Sequence, residues 1–205
     1  MKGASRKERE RARHREEILT AAEAVFAEKG FRGATTEEIA RRAEFAVGTL
    51  YNFFPSKEEL FTAVMLHRVE QMRAMIVGIF SDTEVDPIAA IESFIEAKAR
   101  FFSEHMAFFR LLHTEMMGGT PRLTGKWNEK VHAVYHECMK TVAMAIQRGI
   151  DSGRLRQGSA RDIAMALQGI TNASMVEMLH TGEGEPYESK VPVMKELFFH
   201  GALAT

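Results

Sequence analysis

The stretch that decides the fold runs from Thr35 to Leu60 and reads TTEEIARRAEFAVGTLYNFFPSKEEL. Thr35 through Glu38 fits a capping box, in which a hydroxyl and a carboxylate three residues on satisfy the free amides of a first helical turn. A helix of about nine residues, a turn of about three and a second short helix follow, which is the size of a helix-turn-helix. Pro55 ends the second helix. Ile39, Ala40, Ala43, Leu50, Phe53 and Phe54 recur at spacings that bury them against Ile18, Ala22, Val25 and Phe26 of a preceding helix. Val47, Gly48, Thr49, Tyr51 and Asn52 are left exposed on the second helix. Their chemistry suits DNA: Thr and Tyr hydroxyls donate to phosphates, Asn pairs with adenine through two bonds, and Val meets a thymine methyl. Lys57, in the first turn of the next helix, can clamp a further phosphate. The same periodicity also fits an ordinary helical pair inside a larger α-domain.

Outward from this stretch the chain continues as helix after helix, since apolar residues return at three and four spacing without β-branched runs between turn signals. A first helix stops at Lys29-Gly30, with Gly at the position that ends helices. Ser56 to Glu59 repeats the capping box, and Ser159 to Asp162 is a looser version of it. Asp86-Pro87 and Thr120-Pro121 place an N-cap before a proline at the first helical position. The signals predict nine helices, over 15–29, 35–43, 47–53, 56–80, 87–104, 106–117, 121–150, 159–180 and 187–202. The expected fold is all-α.

A length of 205 residues, with 45 % hydrophobic and 27 % charged, fits one large domain or two small ones with a proper core. The single Cys excludes a disulfide framework and a four-Cys zinc site, and points to a reducing compartment. The start runs into alternating charges instead of an apolar targeting segment. The longest charge-free stretch, between Asp162 and Glu177, is interrupted by Gln168, Thr171, Asn172 and Ser174 and falls short of the roughly 18 apolar residues a membrane span needs. A soluble cytoplasmic chain without membrane contact is expected. The net charge of -1 conceals an uneven distribution: residues 1–15 hold seven cations against two carboxylates, +5, and the remainder carries -6. A basic arm on an acidic body suits an anionic polymer bound at one end.

From Ile18 to Leu60, ILTAAEAVFAEKGFRGATTEEIARRA followed by VGTLYNFFPSKEEL resembles the amino-terminal domain of the tetracycline-repressor (TetR) family of bacterial regulators. By that resemblance Thr36, Thr49, Tyr51 and Lys57 match positions that grip phosphates, and Val47, Gly48 and Asn52 positions that face bases. The rest of the chain resembles the family only in length and helicity. Such proteins bind operator DNA as dimers and release it when a small molecule occupies a pocket in the carboxy-terminal domain. Glu44 and Phe45 stand where the family usually has Gly and Val, so the turn forms without a glycine free to take a positive φ. From Glu16 to Glu59 five basic residues face nine Glu, a net -4. Counterion release therefore falls to the basic arm, Arg41, Arg42 and Lys57.

The carboxy-terminal part is rich in Phe and Met, which mostly build core and also suit an adaptable apolar cavity. Phe101, Phe109, Leu112, Met116 and Met139 are candidate walls of a pocket for an apolar or aromatic effector, with His113, Trp127, Tyr135, His136, Gln168 and Asn172 as polar groups to orient it. Small residues Ala164, Gly169 and Ala173 among large apolar ones in the last two helices allow close packing, within one subunit or across a two-fold axis. By the resemblance, those helices form a homodimer interface.

The expected organisation is a basic flexible arm over 1–14, a three-helix DNA-binding domain over 15–60 and a helical ligand-binding and dimerisation domain over 61–205. The expected function is a repressor of palindromic operator DNA, working without a cofactor. An alternative is a helical-bundle enzyme or metal-binding protein using His113 with Glu115, or His132 with His136, four apart on one helical face. Such a metal would need Glu129 or Cys138 as a third ligand, and Cys138 itself has no orienting partner nearby in sequence. A third reading is an interaction module that holds a partner protein on Met-rich faces.

Overall fold

The structure, a computed structural model, describes residues 5–117, 126–181 and 186–202, except the side chains of residues 115–117, 126–128, 181 and 202. Among these residues it is all-α: α1 Arg6–Gly33, α2 Thr36–Arg42, α3 Val47–Phe53, α4 Lys57–Phe80, α5 Pro87–Glu104, α6 Met106–Met117, α7 Lys126–Asp151, α8 Ala160–Thr181 and α9 Val191–Ala202. A single 3-10 turn at Tyr187–Lys190 leads into α9. The start expected at 121, with its Thr120-Pro121 cap, lies outside the described residues.

Four of the predicted caps are made. Thr35 Oγ1 accepts from Glu38 N at 3.2 Å, Ser56 Oγ from Glu59 N at 3.1 Å and Ser159 Oγ from Asp162 N at 3.2 Å. Asp86 Oδ1 accepts from Ile88 N at 2.7 Å, ahead of Pro87. Each satisfies an amide that the first helical turn leaves open.

The first helix corrects the expectation of an arm. It begins at Arg6, nine residues before the predicted start, because Ser5 and Glu8 form a full capping box: Ser5 N donates to Glu8 Oε2 at 2.6 Å and Glu8 N to Ser5 Oγ at 3.2 Å. Glu8 also lies at the positive end of the helix dipole. The cations of residues 6–15 are thereby carried on a helix. Its far end falls as predicted, where Gly30 breaks the helical path with φ 68 before the chain turns into α2.

The contacts divide the chain into two compact units, one of residues 1–68 and 107–128, the other of 69–106 and 129–205. In the first, Ile18, Leu19, Ala22, Val25 and Phe26 of α1 are buried with Ile39, Ala40, Leu50 and Phe54. Two residues expected in this core, Ala43 and Phe53, are only half-buried. The rings of Phe26, Phe31 and Phe61 meet at 5.2–6.0 Å and tie the end of α1 to α4. A buried ion pair, Arg68 Nε to Glu23 Oε2 at 2.6 Å, joins the same two helices.

In the second unit, α5 buries Ala90, Ile91, Phe94, Ile95, Lys98, Ala99, Phe101 and Phe102. The 3-10 turn inserts Tyr187, 1 % exposed, whose ring meets Phe102 at 4.6 Å and whose hydroxyl donates to the Thr171 carbonyl of α8. From α8, Ile163, Ala164, Leu167 and Thr171 point inward, and from α9, Met194 and Phe198. Among the described residues no helix is long and apolar enough to cross a membrane.

Candidate functional site

The helix-turn-helix is assembled as its punctuation predicts. Phe45 N reaches back to the Ala40 carbonyl at 2.9 Å across the turn between α2 and α3. Glu44 takes the left-handed conformation, with φ 61, the one non-glycine positive φ among the described residues. The turn geometry is therefore reached without glycine, at a cost of roughly 1 kcal/mol in backbone strain.

On α3, Leu50 is fully buried, which turns Gly48, Tyr51 and Asn52 outward together at i, i+3 and i+4. Val47 and Thr49 flank them, half-buried. A Cβ added at Gly48 would meet nothing within 4 Å. The chain's own packing thus gives no reason for a glycine here, while glycine inside a helix costs about 1 kcal/mol relative to alanine. A bare backbone on an exposed helical face suits the close approach of another molecule.

The supporting side chains are held in place. Thr36 Oγ1 and the Tyr51 hydroxyl are 3.1 Å apart, linking α2 to α3. Thr36 is buried and Tyr51 is 44 % exposed, so the pair presents one hydroxyl to the outside. Lys57 Nζ donates to the Ala34 carbonyl at 2.9 Å and lies 4.6 Å from the centre of the Phe31 ring. An ammonium has three donors, and this contact uses one of them. Arg42 is engaged with Glu28, Nη1 to Oε1 at 2.6 Å.

The helical start of α1 brings two cations that the sequence reading did not place. Arg11 lies over the Phe53 ring at 5.1 Å and Arg15 over the Phe54 ring at 5.2 Å, beside the end of α3. Many of the nine Glu residues of this region are meanwhile paired inside the unit: Glu16 with His67, Glu17 with Arg13, Glu23 with Arg68, Glu28 with Arg42 and Glu38 with Lys29. Arg13 and Arg68 lie outside the stretch counted at -4, so their pairing with Glu17 and Glu23 offsets part of that charge.

The candidate effector residues fall in both units. Phe109, Leu112 and His113 belong to the first, and Phe101, Tyr135, His136, Met139, Gln168 and Asn172 to the second. The side chains of Met116, Trp127 and Glu115 lie outside the described residues. Phe101 and Phe109 are buried, Leu112, His113 and Met139 half-buried, and Tyr135 and His136 exposed. Gln168 and Asn172 converge on a residue the sequence reading passed over. Lys98 Nζ, from the buried face of α5, donates to Gln168 Oε1 at 2.8 Å, Thr171 Oγ1 at 2.7 Å and Asn172 Oδ1 at 3.0 Å. Burial pushes its ammonium down from 10.5 to about 7. The sequence carried a signal for it: Lys98 interrupts an otherwise apolar stripe at helical spacing.

His132 and His136 are both exposed, the His136 ring lying against Tyr135 at 5.8 Å. Among the described residues no three His, Cys, Asp or Glu side chains gather as a metal requires. Cys138 is buried, which pushes its thiol up to about 11 and keeps it protonated and inert at neutral pH.

Outward on α8 and α9 stand large apolar side chains: Met165 is 55 % exposed, Leu197 61 % and Val193 44 %. Ala166, Gly169 and Ala173 are exposed between them. Ala164, counted among the small residues of this face, points into the core instead.

Residues 18–64 match the profile described as bacterial regulatory proteins, tetR family. Residues 66–174 match that of the YcdC-like protein, C-terminal region. The HTH-type transcriptional regulator RutR of Escherichia coli K12 is 30 % identical over 132 residues, 64 % of this chain and 61 % of RutR. The HTH-type transcriptional repressor NicS of Pseudomonas putida is 27 % identical over 144 residues, 70 % of this chain and 66 % of NicS. The crystal structure of the regulator FadR from Bacillus subtilis in complex with stearoyl-CoA superposes with a TM-score of 0.75 at 19 % identity, covering 91 % of this chain and 98 % of that one. The chain therefore spans about three fifths of RutR's length. These relatives are transcription regulators, which leaves the helical-bundle enzyme reading without support.

Proposed function

Because the chain belongs to the tetR family of bacterial regulatory proteins, its two regions matching two of that family's profiles, we propose that it is a DNA-binding transcription regulator. It acts in the cytoplasm as a repressor, holds a palindromic operator as a homodimer and leaves it when a small molecule occupies the carboxy-terminal region. NicS carries the name of a repressor and the B. subtilis FadR structure holds stearoyl-CoA, which supports a repressor that takes a small molecule.

The observation that carries the DNA reading is the exposed face of Gly48, Tyr51 and Asn52, with a glycine that packing does not require. In this reading α3 enters the major groove, Val47, Gly48 and Asn52 lie against base edges, and the hydroxyls of Thr49 and Tyr51 meet phosphates, with the buried Thr36 hydroxyl positioning that of Tyr51 instead of reaching the DNA itself. Lys57 and Arg42 add charge at the rim, and Arg11 and Arg15 extend it from α1.

Homodimer formation rests on α8 and α9. Exposed Met165, Val193 and Leu197 around the small residues Ala166, Gly169 and Ala173 make an apolar face that a second copy covers by two-fold packing. Two recognition helices then stand about 34–36 Å apart, one turn of DNA. A change in that spacing on effector binding, carried by α4, couples effector and operator reciprocally. The effector has an apolar or aromatic body, taken by the Phe and Met side chains of the carboxy-terminal region.

Selection from a random pool of duplex DNA tests the proposal. The protein should enrich a palindrome with half-sites one helical turn apart. Asn52→Ala should change which sequence is enriched, whereas Tyr51→Phe or Lys57→Ala should weaken all sequences alike. Gly48→Ala should stabilise α3 by about 0.5–1 kcal/mol and yet lower operator affinity at least tenfold. Full affinity in the Gly48→Ala variant, or no enriched sequence with the wild type, refutes the reading.

A further inference from the structure

Lys98 is placed where a packing residue belongs and is satisfied in a way that packing does not explain. It stands 7 % exposed in a stripe of Ala, Ile and Phe, with the Phe94 ring centre 5.9 Å from Nζ. All three of its hydrogen-bond partners are neutral oxygens of α8. Among the described residues no carboxylate pairs with it. Of the carboxylates on the surrounding elements, Glu92 and Glu96 pair with Lys195 of α9, and Glu188 of the 3-10 turn accepts from Ser103. The Tyr187 hydroxyl is used on the Thr171 carbonyl. Burying an ammonium without a counter-ion is expensive, and a Leu or Met on this stripe would join α5 to α8 without that cost.

The partners themselves suit an incoming anion. Thr171 is buried, whereas Gln168 and Asn172, one turn apart on α8, are half-buried and bonded to each other at 3.3 Å. A carboxamide carries two N–H donors besides its oxygen. Rotation of the two amides turns two acceptors for Lys98 into donors. The ammonium and the amide N–H groups are then all donors available to one guest oxyanion. Phe94, Phe101 and Phe102 on the same face of α5 provide the apolar surroundings.

We propose that Lys98, Gln168 and Asn172 form the receptor for the carboxylate of an apolar monocarboxylic acid, which is the effector of this regulator. The assignment rests on the reading that the carboxy-terminal region receives a small effector, and it deepens that reading by naming the ligand class. One cation specifies one carboxylate, and its carboxylate takes over the role of the missing counter-ion. Binding restores the charge of Lys98, so it takes up a proton wherever the free protein holds the neutral amine.

The test uses the full chain and a panel of straight-chain and aromatic acids, from butanoate to octadecanoate and from benzoate to naphthoate, each with its primary amide. Calorimetry at about pH 8, in two buffers of different ionisation enthalpy, reads both affinity and proton uptake. Some member of the panel should bind at least tenfold more tightly as the acid than as the amide, with close to one proton taken up. Lys98→Met should remove both the preference and the uptake. Should that variant fail to fold, Gln168→Leu combined with Asn172→Leu should cut the acid-over-amide ratio instead. Equal binding of acids and amides, binding by no member of the panel, or an unchanged preference in the variants overturns the proposal. DNA selection is read separately: acid binding through Lys98 without an enriched operator sinks the regulator reading alone, and an operator without acid binding sinks the receptor alone.

Discussion

Replacing Lys98 by methionine should flatten the pH dependence of folding stability above neutrality. In the folded protein the Lys98 ammonium is pushed down from 10.5 to about 7 by burial. Above that value the folded chain holds a neutral amine while the unfolded chain keeps its proton. The unfolded state then binds more protons, so stability rises with pH from about 7 until the unfolded amine itself titrates near 10.5. A difference approaching one proton is worth about 1.4 kcal/mol per pH unit, which integrates to roughly 2 kcal/mol between pH 7.5 and 9. Cys138 bounds the window from above. Its thiol is raised from 9.0 to about 11, so its contribution is present below pH 9.0 and is lost as pH rises through the folded value. Urea denaturation followed by circular dichroism, at one fixed protein concentration so that any association cancels, gives the stability at each pH. The wild type should gain about 2 kcal/mol across the window, and the Lys98→Met variant should lose that gain. Parallel curves for the two proteins would refute the argument that an unpaired buried ammonium sits on α5.

Three further outcomes follow from individual contacts. Glu44→Gly should stabilise the protein by about 0.5 kcal/mol, because it releases the strain of a positive φ at a non-glycine residue and loses part of that gain to unfolded-state entropy; a lower thermal midpoint would contradict it. Glu23→Ala should destabilise the first unit by about 3 kcal/mol, since it removes the buried carboxylate that pairs with the Arg68 guanidinium; a loss below about 1 kcal/mol would show that the pair is dispensable. Arg148, on α7, buries Nε and Nη2 with no hydrogen-bond acceptor among the described residues. Arg148→Met should raise stability by about 1 kcal/mol, and a fall would mean that a second copy or a ligand supplies the acceptor.

Local chemistry was what the sequence could express. A capping hydroxyl acts on amides two or three residues away, Pro87 sits beside its own N-cap, and Gly30 supplies its own φ, so the helices and their joints were readable from adjacent residues. The same holds for α3: burying Leu50 forces Gly48, Tyr51 and Asn52 to the other side of one short helix. The Ser5–Glu8 box was equally local, and a run of charges hid it, so residues 6–14 were expected as an arm and are helix. The turn at Glu44 shows the limit of residue preference, since the surrounding packing holds a glutamate at φ 61.

What only the tertiary structure decided concerns partners far apart in the chain. The sequence gives nine Glu against five cations around the helix-turn-helix, but not that Glu23 reaches Arg68 or that Glu28 reaches Arg42. Arg11 and Arg15 belong to a helix that sets them on Phe53 and Phe54, beside the face expected to meet DNA. Lys98 is the clearest case. Gln168 and Asn172 were recognisable as polar residues on an apolar helix, whereas the cation they enclose lies some seventy positions earlier, at separations of 70 and 74. Periodicity can say that a lysine stands on a buried face. Whether its charge finds a carboxylate or three neutral oxygens depends on which helix packs across from it, and that is a property of the folded chain alone.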